Sequence, residues 1–246
     1  MSNWLIVIPA RLNSQRLPSK PLALVDGQPL IIRVYENLKP LLSKAHIVVA
    51  TDSSDIKELC EAHHVTVMMT RADHPSGTDR CHEVAMQRNE PWVLNVQGDE
   101  PFINPEDLES LMEAMQQNPK SEMGTLVHET QDEKKIQSPH VVKVVRNQND
   151  FAMYFSRSVI PHHASSALEH IGVYAFRRET LMRFHNLPVS KHEKIERLEQ
   201  LRALDHGISL LTVNASQPSM GIDTYEELEQ ATEWFRHHRP YSTNDS

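Results

Sequence analysis

Three short polar strings hold the residue types and spacings that could do chemistry. Residues 9–21 read Pro-Ala-Arg-Leu-Asn-Ser-Gln-Arg-Leu-Pro-Ser-Lys-Pro and place three cations, Arg11, Arg16 and Lys20, within ten positions. Pro9, Pro18 and Pro21 stiffen the segment and lower the entropy lost in holding a shaped loop. Guanidinium forks and an ammonium point charge match the oxygens of a polyphosphate. A solvated surface turn would carry the same residues, and the GxxxxGK[ST] pattern of a P-loop is absent. The second string, Gln97-Gly98-Asp99-Glu100-Pro101, follows an apolar run. Asp99 there stands where a carboxylate could hold Mg²⁺ beside a phosphate, and Gly98 admits a close backbone approach. The competing role for Asp99, capping the next helix, is better filled near Pro105. The third string, Gly221-Ile222-Asp223-Thr224, precedes a helical pattern. Asp223 reads either as that helix's N-cap or as a second carboxylate on the same metal, and spacing alone leaves both open.

Something must hold these strings together. The first half alternates short apolar runs with helical patterns. Strands are predicted at 5–8, 47–50, 65–69 and 92–96, with helices at 30–38, 53–62 and 78–88. Such alternation implies a parallel sheet with helices on both faces, and ligands then sit beyond the carboxyl ends of the strands. The polar strings after Ile8, Met69 and Val96 all fall there. A helix is predicted from Pro105 to about residue 117. The pattern then changes to strands at 123–128, 141–146, 152–155 and 170–176 with little helix between, an antiparallel excursion. One polar helix is predicted over 191–205, with Ile195, Leu198, Leu201 and Leu204 on one stripe. A strand at 208–213 and a closing helix at 224–236 follow, and the tail from Pro240 is expected to fray.

Composition narrows the function. The 246 residues carry 25 Lys and Arg against 33 Asp and Glu, a formal charge of −8. That argues against a nucleic-acid partner held by a broad basic field, though not against a local phosphate pocket. No apolar run approaches the ~18 residues of a membrane span. The two cysteines, Cys60 and Cys81, read as free thiols, and the chain as cytoplasmic. The histidine pairs 63–64, 162–163 and 237–238 show no metal-ligand spacing.

Taken together the strings resemble the cytidylyltransferases that activate 3-deoxy-manno-octulosonate (Kdo) as its CMP-sugar for lipopolysaccharide assembly. The resemblance runs from about residue 4 to 234. It rests on Ile8-Pro9-Ala10-Arg11 through Lys20-Pro21, residues 70–80, residues 95–101, Tyr154-Phe155-Ser156-Arg157, residues 170–174, residues 198–202 and residues 221–224. It implies a Rossmann-like α/β nucleotidyltransferase, a mixed sheet flanked by helices with a small antiparallel excursion for sugar binding and dimerisation. It implies one domain over 1–246: 1–120 mainly for CTP, 121–223 mainly for the sugar and a homodimer contact, 224–238 a closing helix and 239–246 a flexible tail. Ala10, Arg11, Arg16, Lys20, Arg71, Ser76, Gly77, Thr78 and Gln97 would bind the nucleotide. Arg157, His170, Tyr174, Glu199 and Gln200 would bind the acid sugar, and Asp99 and Asp223 would hold Mg²⁺. Arg11, Lys20 and Asp99 would carry catalysis. The implied partners are CTP and an acid sugar, with no nucleic acid and no membrane.

Two positions depart from the family pattern. Ser19 stands where Gly is usual, which matters if that position needs a positive φ. The segment 162–169, His-His-Ala-Ser-Ser-Ala-Leu-Glu, is shorter than usual beside the expected sugar site. The short loop raises an alternative sugar, 8-amino-3,8-dideoxy-manno-octulosonate, whose ammonium could meet His162, His163 and Glu169. A nine-carbon sialic-type acid and a non-catalytic nucleotide-binding relative are further alternatives. A glycosyltransferase would be expected to show Asp-x-Asp after a strand, whereas this chain has Gly98-Asp99-Glu100.

Overall fold

The computed structural model describes residues 2–12 and 16–238. Asn13, Ser14 and Gln15 of the cationic string, and the tail expected to fray, lie outside the described residues.

An unbroken apolar run suits a strand covered on both faces. Trp4–Ala10 (β1) is such a strand, buried at every position. A small hairpin of Leu24–Val25 (β2) and Gln28–Pro29 (β3) leads into Leu30–Leu38 (α1). Next come Ala45–Thr51 (β4), Ser54–Ala62 (α2), Val67–Met69 (β5), Gly77–Met86 (α3) and Trp92–Asn95 (β6). β1 pairs in parallel with β4 and β6, and β4 pairs in parallel with β5. Ser53 and Ser76 cap α2 and α3 by accepting from Ile56 N and Asp79 N.

Pro105–Gln117 (α4) is followed by Met123–Thr130 (β7), Glu133–Gln137 (α5), Lys143–Arg146 (β8), Ala152–Ser156 (β9) and Ala167–Arg177 (β10). Then come Arg178–His185 (α6), Lys191–Glu196 (α7), Gln200–Asp205 (α8), Leu210–Asn214 (β11) and Tyr225–His237 (α9). The sheet runs β11-β7-β10-β6-β1-β4-β5, with β8 and β9 attached at β10. β10 is antiparallel to both β6 and β7, so the expected mixed sheet with an antiparallel excursion is present. Alternation in β1 divides the core. Ile6 and Ile8 pack toward α1, α2 and α4, while Leu5 and Val7 pack toward α3, α6 and α8.

One helical expectation is corrected, and two short helices, α5 and α6, fall where none is predicted. The single helix over 191–205 is broken: Arg197 takes φ 56 at the end of α7, and α8 restarts at Gln200. Leu198 and Leu201 stay buried, but Ile195 is 66% exposed. The break lets Arg202 fold back on Glu193 in a buried two-pronged pair, at 2.8 and 2.5 Å. α6 was not foreseen, because its first residue follows β10 directly and Arg177 supplies no side-chain cap.

Candidate active site

At the carboxyl ends of β1 and β6 lies a cavity of about 830 Å³. It is lined by Ala10, Arg11, Arg16 and Lys20 from the first string, Ser76 and Gly77 from the start of α3, and Gln97 and Asp99 after β6. Asp223 completes the wall from the far end of the chain. The close approach needs Gly98, since a Cβ there would stand 2.8 Å from the Pro9 carbonyl oxygen.

Lys20 Nζ donates to Asp99 Oδ2 and, at 2.9 Å, to Asp223 Oδ1. Arg16 Nη2 donates to Asp223 Oδ2 at 2.7 Å. Burial works against the Lys20 ammonium, yet the two carboxylates outweigh it and hold its pKa above the ordinary value. Asp223 is free for this role because it is not the helix cap. Thr224 caps α9, and Glu227 closes a capping box that also accepts from Asp223 N at 2.7 Å. Ile222 N donates to Asp99 O at 2.9 Å, and Ser219 Oγ donates to Glu100 Oε2, so the segment before α9 is fastened to the one after β6. Desolvation, with Asp99 and Asp223 nearby, pushes the Glu100 carboxyl up to about 7.

These residues fit a divalent cation. Two carboxylates from distant segments meet at one ammonium, and oxygen donors of this kind are what Mg²⁺ takes. Among the described residues no group of three or more His, Cys, Asp or Glu side chains could hold a metal by itself. The donor set is one that substrate phosphates and water would complete.

Arg71 and Thr78 do not line the cavity. Arg71 is exposed and pairs with Asp73 at 2.9 Å. Thr78 is buried behind the wall and donates to Glu199 Oε2 at 2.6 Å. His74 and Arg80 line the cavity without having been assigned a role. Arg80 falls four residues after Ser76, one helical turn along the same face, which is the signal that could have found it. Its guanidinium is held by Thr70 and by Asp52 at 3.2 Å.

The residues expected at the sugar lie behind this wall. Gln97 Nε2 donates to Asn95 Oδ1 at 3.1 Å, Asn95 reaches Thr78 at 3.4 Å, and Thr78 leads to Glu199. Tyr174 OH donates to Gln200 Oε1 at 3.1 Å. The His170 ring packs against Phe155 and Tyr174, and its Nε2 meets Thr125 Oγ1 at 3.0 Å. Enclosure pushes the His170 pKa down to about 3 and raises those of Tyr174 and Glu199. The buried atoms Glu199 Oε1 and Gln200 Nε2 have no hydrogen-bond partner, which is what a polar ligand would satisfy. Arg157 stands apart, donating to Glu196 O at 3.0 Å and Pro139 O at 3.1 Å. In the short loop, the His162 and His163 rings lie 3.8 Å apart. Glu169, considered for a substrate ammonium, is already taken by Lys135 at 2.9 Å.

A family model for cytidylyltransferases matches residues 5–210. The 3-deoxy-manno-octulosonate cytidylyltransferase of Syntrophotalea carbinolica is 41% identical over 90% of this chain and 94% of its own. That of Escherichia coli is 42% identical over 94% of this chain and 95% of its own. A solved CMP-2-keto-3-deoxy-manno-octonic acid synthetase complexed with CTP superposes with a TM-score of 0.92 at 39% identity, covering 96% of this chain and 99% of that one. A thymidylyltransferase structure from Bacillus anthracis, at 16% identity and a TM-score of 0.69, shares the fold. The relatives' names do not favour the 8-amino alternative. The chain therefore belongs to the 3-deoxy-manno-octulosonate cytidylyltransferase family.

Proposed function

We propose that this chain transfers the cytidylyl group of CTP to a 3-deoxy-manno-octulosonate-type acid sugar, giving the CMP-sugar and pyrophosphate. The observation that carries this is the meeting of Asp99, Asp223, Lys20 and Arg16 at the carboxyl end of the sheet of a cytidylyltransferase. The anomeric hydroxyl attacks the α-phosphorus of CTP. An oxygen–phosphorus bond forms, the bond to the pyrophosphate oxygen breaks, and the hydroxyl proton is released.

Arg11, Arg16 and Lys20 neutralise triphosphate oxygens and the charge that develops on the leaving group. Ser76, Gly77 and Gln97 read the base, since a wrong base leaves wall groups unpaired. Asp99 and Asp223 would hold Mg²⁺, which would supply polarisation of the α-phosphate and a lower pKa for the attacking hydroxyl. Arg157 takes the sugar carboxylate once its guanidinium leaves the Glu196 and Pro139 carbonyls, and Tyr174, Glu199 and Gln200 orient the sugar hydroxyls while His170 stays neutral beside them. Held geometry supplies much of the rate. We further propose a homodimer and a cytoplasmic role in lipopolysaccharide synthesis, with residues 1–120 mainly serving CTP and 121–223 mainly serving the sugar and the dimer. Among the described residues no helix is long and apolar enough to cross a membrane.

The test is pyrophosphate release by purified protein with CTP, Mg²⁺ and either Kdo or its 8-amino analogue, with UTP as the nucleotide control. Release with CTP and Kdo is expected. Binding of both substrates without release would leave a non-catalytic relative. Strong preference for the amino sugar would reinstate that substrate.

A further inference from the structure

We propose that Lys20, assisted by Arg16, is the resident counter-cation of the Asp99–Asp223 pair, so that a divalent metal enters this site with the triphosphate rather than before it. The inference rests on the assignment of these two aspartates to a metal.

Both oxygens of Asp223 are engaged by cations of the chain itself, Oδ1 by Lys20 and Oδ2 by Arg16. The same Lys20 ammonium is hydrogen-bonded to Asp99 Oδ2. A divalent ion on these oxygens must therefore displace a cation already in place. The two cations differ in how easily they yield. The Arg16 side chain is 67% exposed and can turn into water, whereas that of Lys20 is only 14% exposed. The Lys20 backbone is held in a short 3-10 turn, Lys20–Leu22, with Pro21 buried behind it. Apart from Asp99 and Asp223, no carboxylate among the described residues lines the cavity, and its other charged residues are further cations, Arg11 and Arg80.

Bare metal would leave Lys20 close to two positive charges in a partly desolvated place, which is strongly unfavourable. A triphosphate removes the conflict, because its oxygens give Lys20 and Arg16 new acceptors as they release the carboxylates. Metal and CTP then each favour the binding of the other, as linkage requires. In the absence of both, the lysine offsets the repulsion between two carboxylates whose segments are already fastened by Ile222 N to Asp99 O and Ser219 Oγ to Glu100 Oε2.

Mn²⁺ is the probe, with free Mn²⁺ read by electron paramagnetic resonance in the absence of nucleotide. Lys20→Met should bind Mn²⁺ at least tenfold more tightly than the unaltered chain, and Lys20→Gln should gain in the same direction. Adding Asp99→Asn to Lys20→Met should abolish the gain. Arg11→Met, which removes a cavity cation not bonded to the aspartates, should change Mn²⁺ binding less than threefold. No gain in either folded Lys20 variant, or an equal gain in Arg11→Met, would overturn the proposal. Asp99→Asn alone tests the metal assignment. An unchanged Mn²⁺ requirement for pyrophosphate release would remove that assignment and this inference with it. A raised requirement without a gain in the Lys20 variants would remove the inference alone.

Discussion

At the mouth of the cavity, Arg16, Asp99 and Asp223 come from loops and Lys20 from the start of a 3-10 turn, and all four carry full charges and remain partly open to water. Behind its wall, His170, Tyr174, Glu199 and Gln200 come from β10 and the turn into α8. They sit among other side chains, and two of their polar atoms have no hydrogen-bond partner. The first group can exchange partners, Arg16 by turning into water and Lys20 when phosphate oxygens replace the carboxylates as acceptors. The second cannot, because each unpaired buried group costs about 1–3 kcal/mol. Charge that must be released and regained during turnover is placed at the mouth. Groups that must discriminate a shape are fixed in the interior.

The largest expected effect tests the mouth. Asp99→Ala should lower pyrophosphate release by about 10³-fold or more, as expected for losing a centre of charge stabilisation. The fold should survive, because Asp99 is half-buried and its backbone carbonyl, which holds Ile222 N, is retained. A variant with the original rate at ordinary Mg²⁺ would break the comparison at its charged end.

A smaller effect is expected in the interior. Tyr174→Phe leaves Gln200 Oε1 without the hydroxyl that donates to it. The variant should lose about 1–3 kcal/mol of stability. Its KM for the sugar should rise while that for CTP stays level, because Tyr174 does not line the cavity and its hydroxyl donates to Gln200. Equal changes in both KM values would show that the two groups act as one.

How readily these groups are found in the sequence follows the same division. Arg11, Lys20, Asp99 and Asp223 stand in short polar strings that interrupt apolar runs, so their types and positions already suggest phosphate and metal. His170 and Tyr174 lie inside a strand, where a polar residue looks like ordinary alternation, and Glu199 and Gln200 look like the solvated face of a charged helix. Resemblance to a family singled them out, and periodicity did not. The parallel half was legible because its apolar strands alternate with helical patterns, and Ser53 and Ser76 cap the helices that separate β4, β5 and β6. The break at Arg197 was hidden, since a non-glycine residue in the left-handed region leaves no signature in composition. The pairing of Glu193 with Arg202 that accompanies it is a tertiary contact.

The third prediction concerns pH. The His170 pKa is near 3 in the folded chain against an ordinary 6.5. Between these values the unfolded chain binds the extra proton, so stability falls as pH drops from 6.5 toward 3 and is unaffected by this group above 6.5. Denaturant melts of His170→Asn should show a shallower loss over that window than the unaltered chain. An identical acid limb would mean that the ring is hydrated, and the interior would then be wetter than its contacts indicate.

The smallest effect belongs to Ser19, and it sharpens the account of the mouth. Ser19 adopts φ 51 immediately before Lys20, a conformation that costs a residue with a Cβ roughly 1 kcal/mol or more and glycine little. Its side chain is exposed and makes no cap hydrogen bond, so replacement removes no packing. Against this gain stands the greater freedom of glycine in the unfolded chain, about 0.4–1 kcal/mol. The net change for Ser19→Gly should therefore be small and stabilising, a rise in melting temperature of about 1–3 °C for a chain of this size. The KM for CTP should move less than threefold, because the same turn is kept and Lys20 still meets both aspartates. A stabilised variant with markedly weaker CTP binding would mean that the strained serine holds the loop in its working shape, and that the mouth is as preorganised as the interior. A destabilised variant would mean that Ser19 makes a contact beyond its backbone conformation.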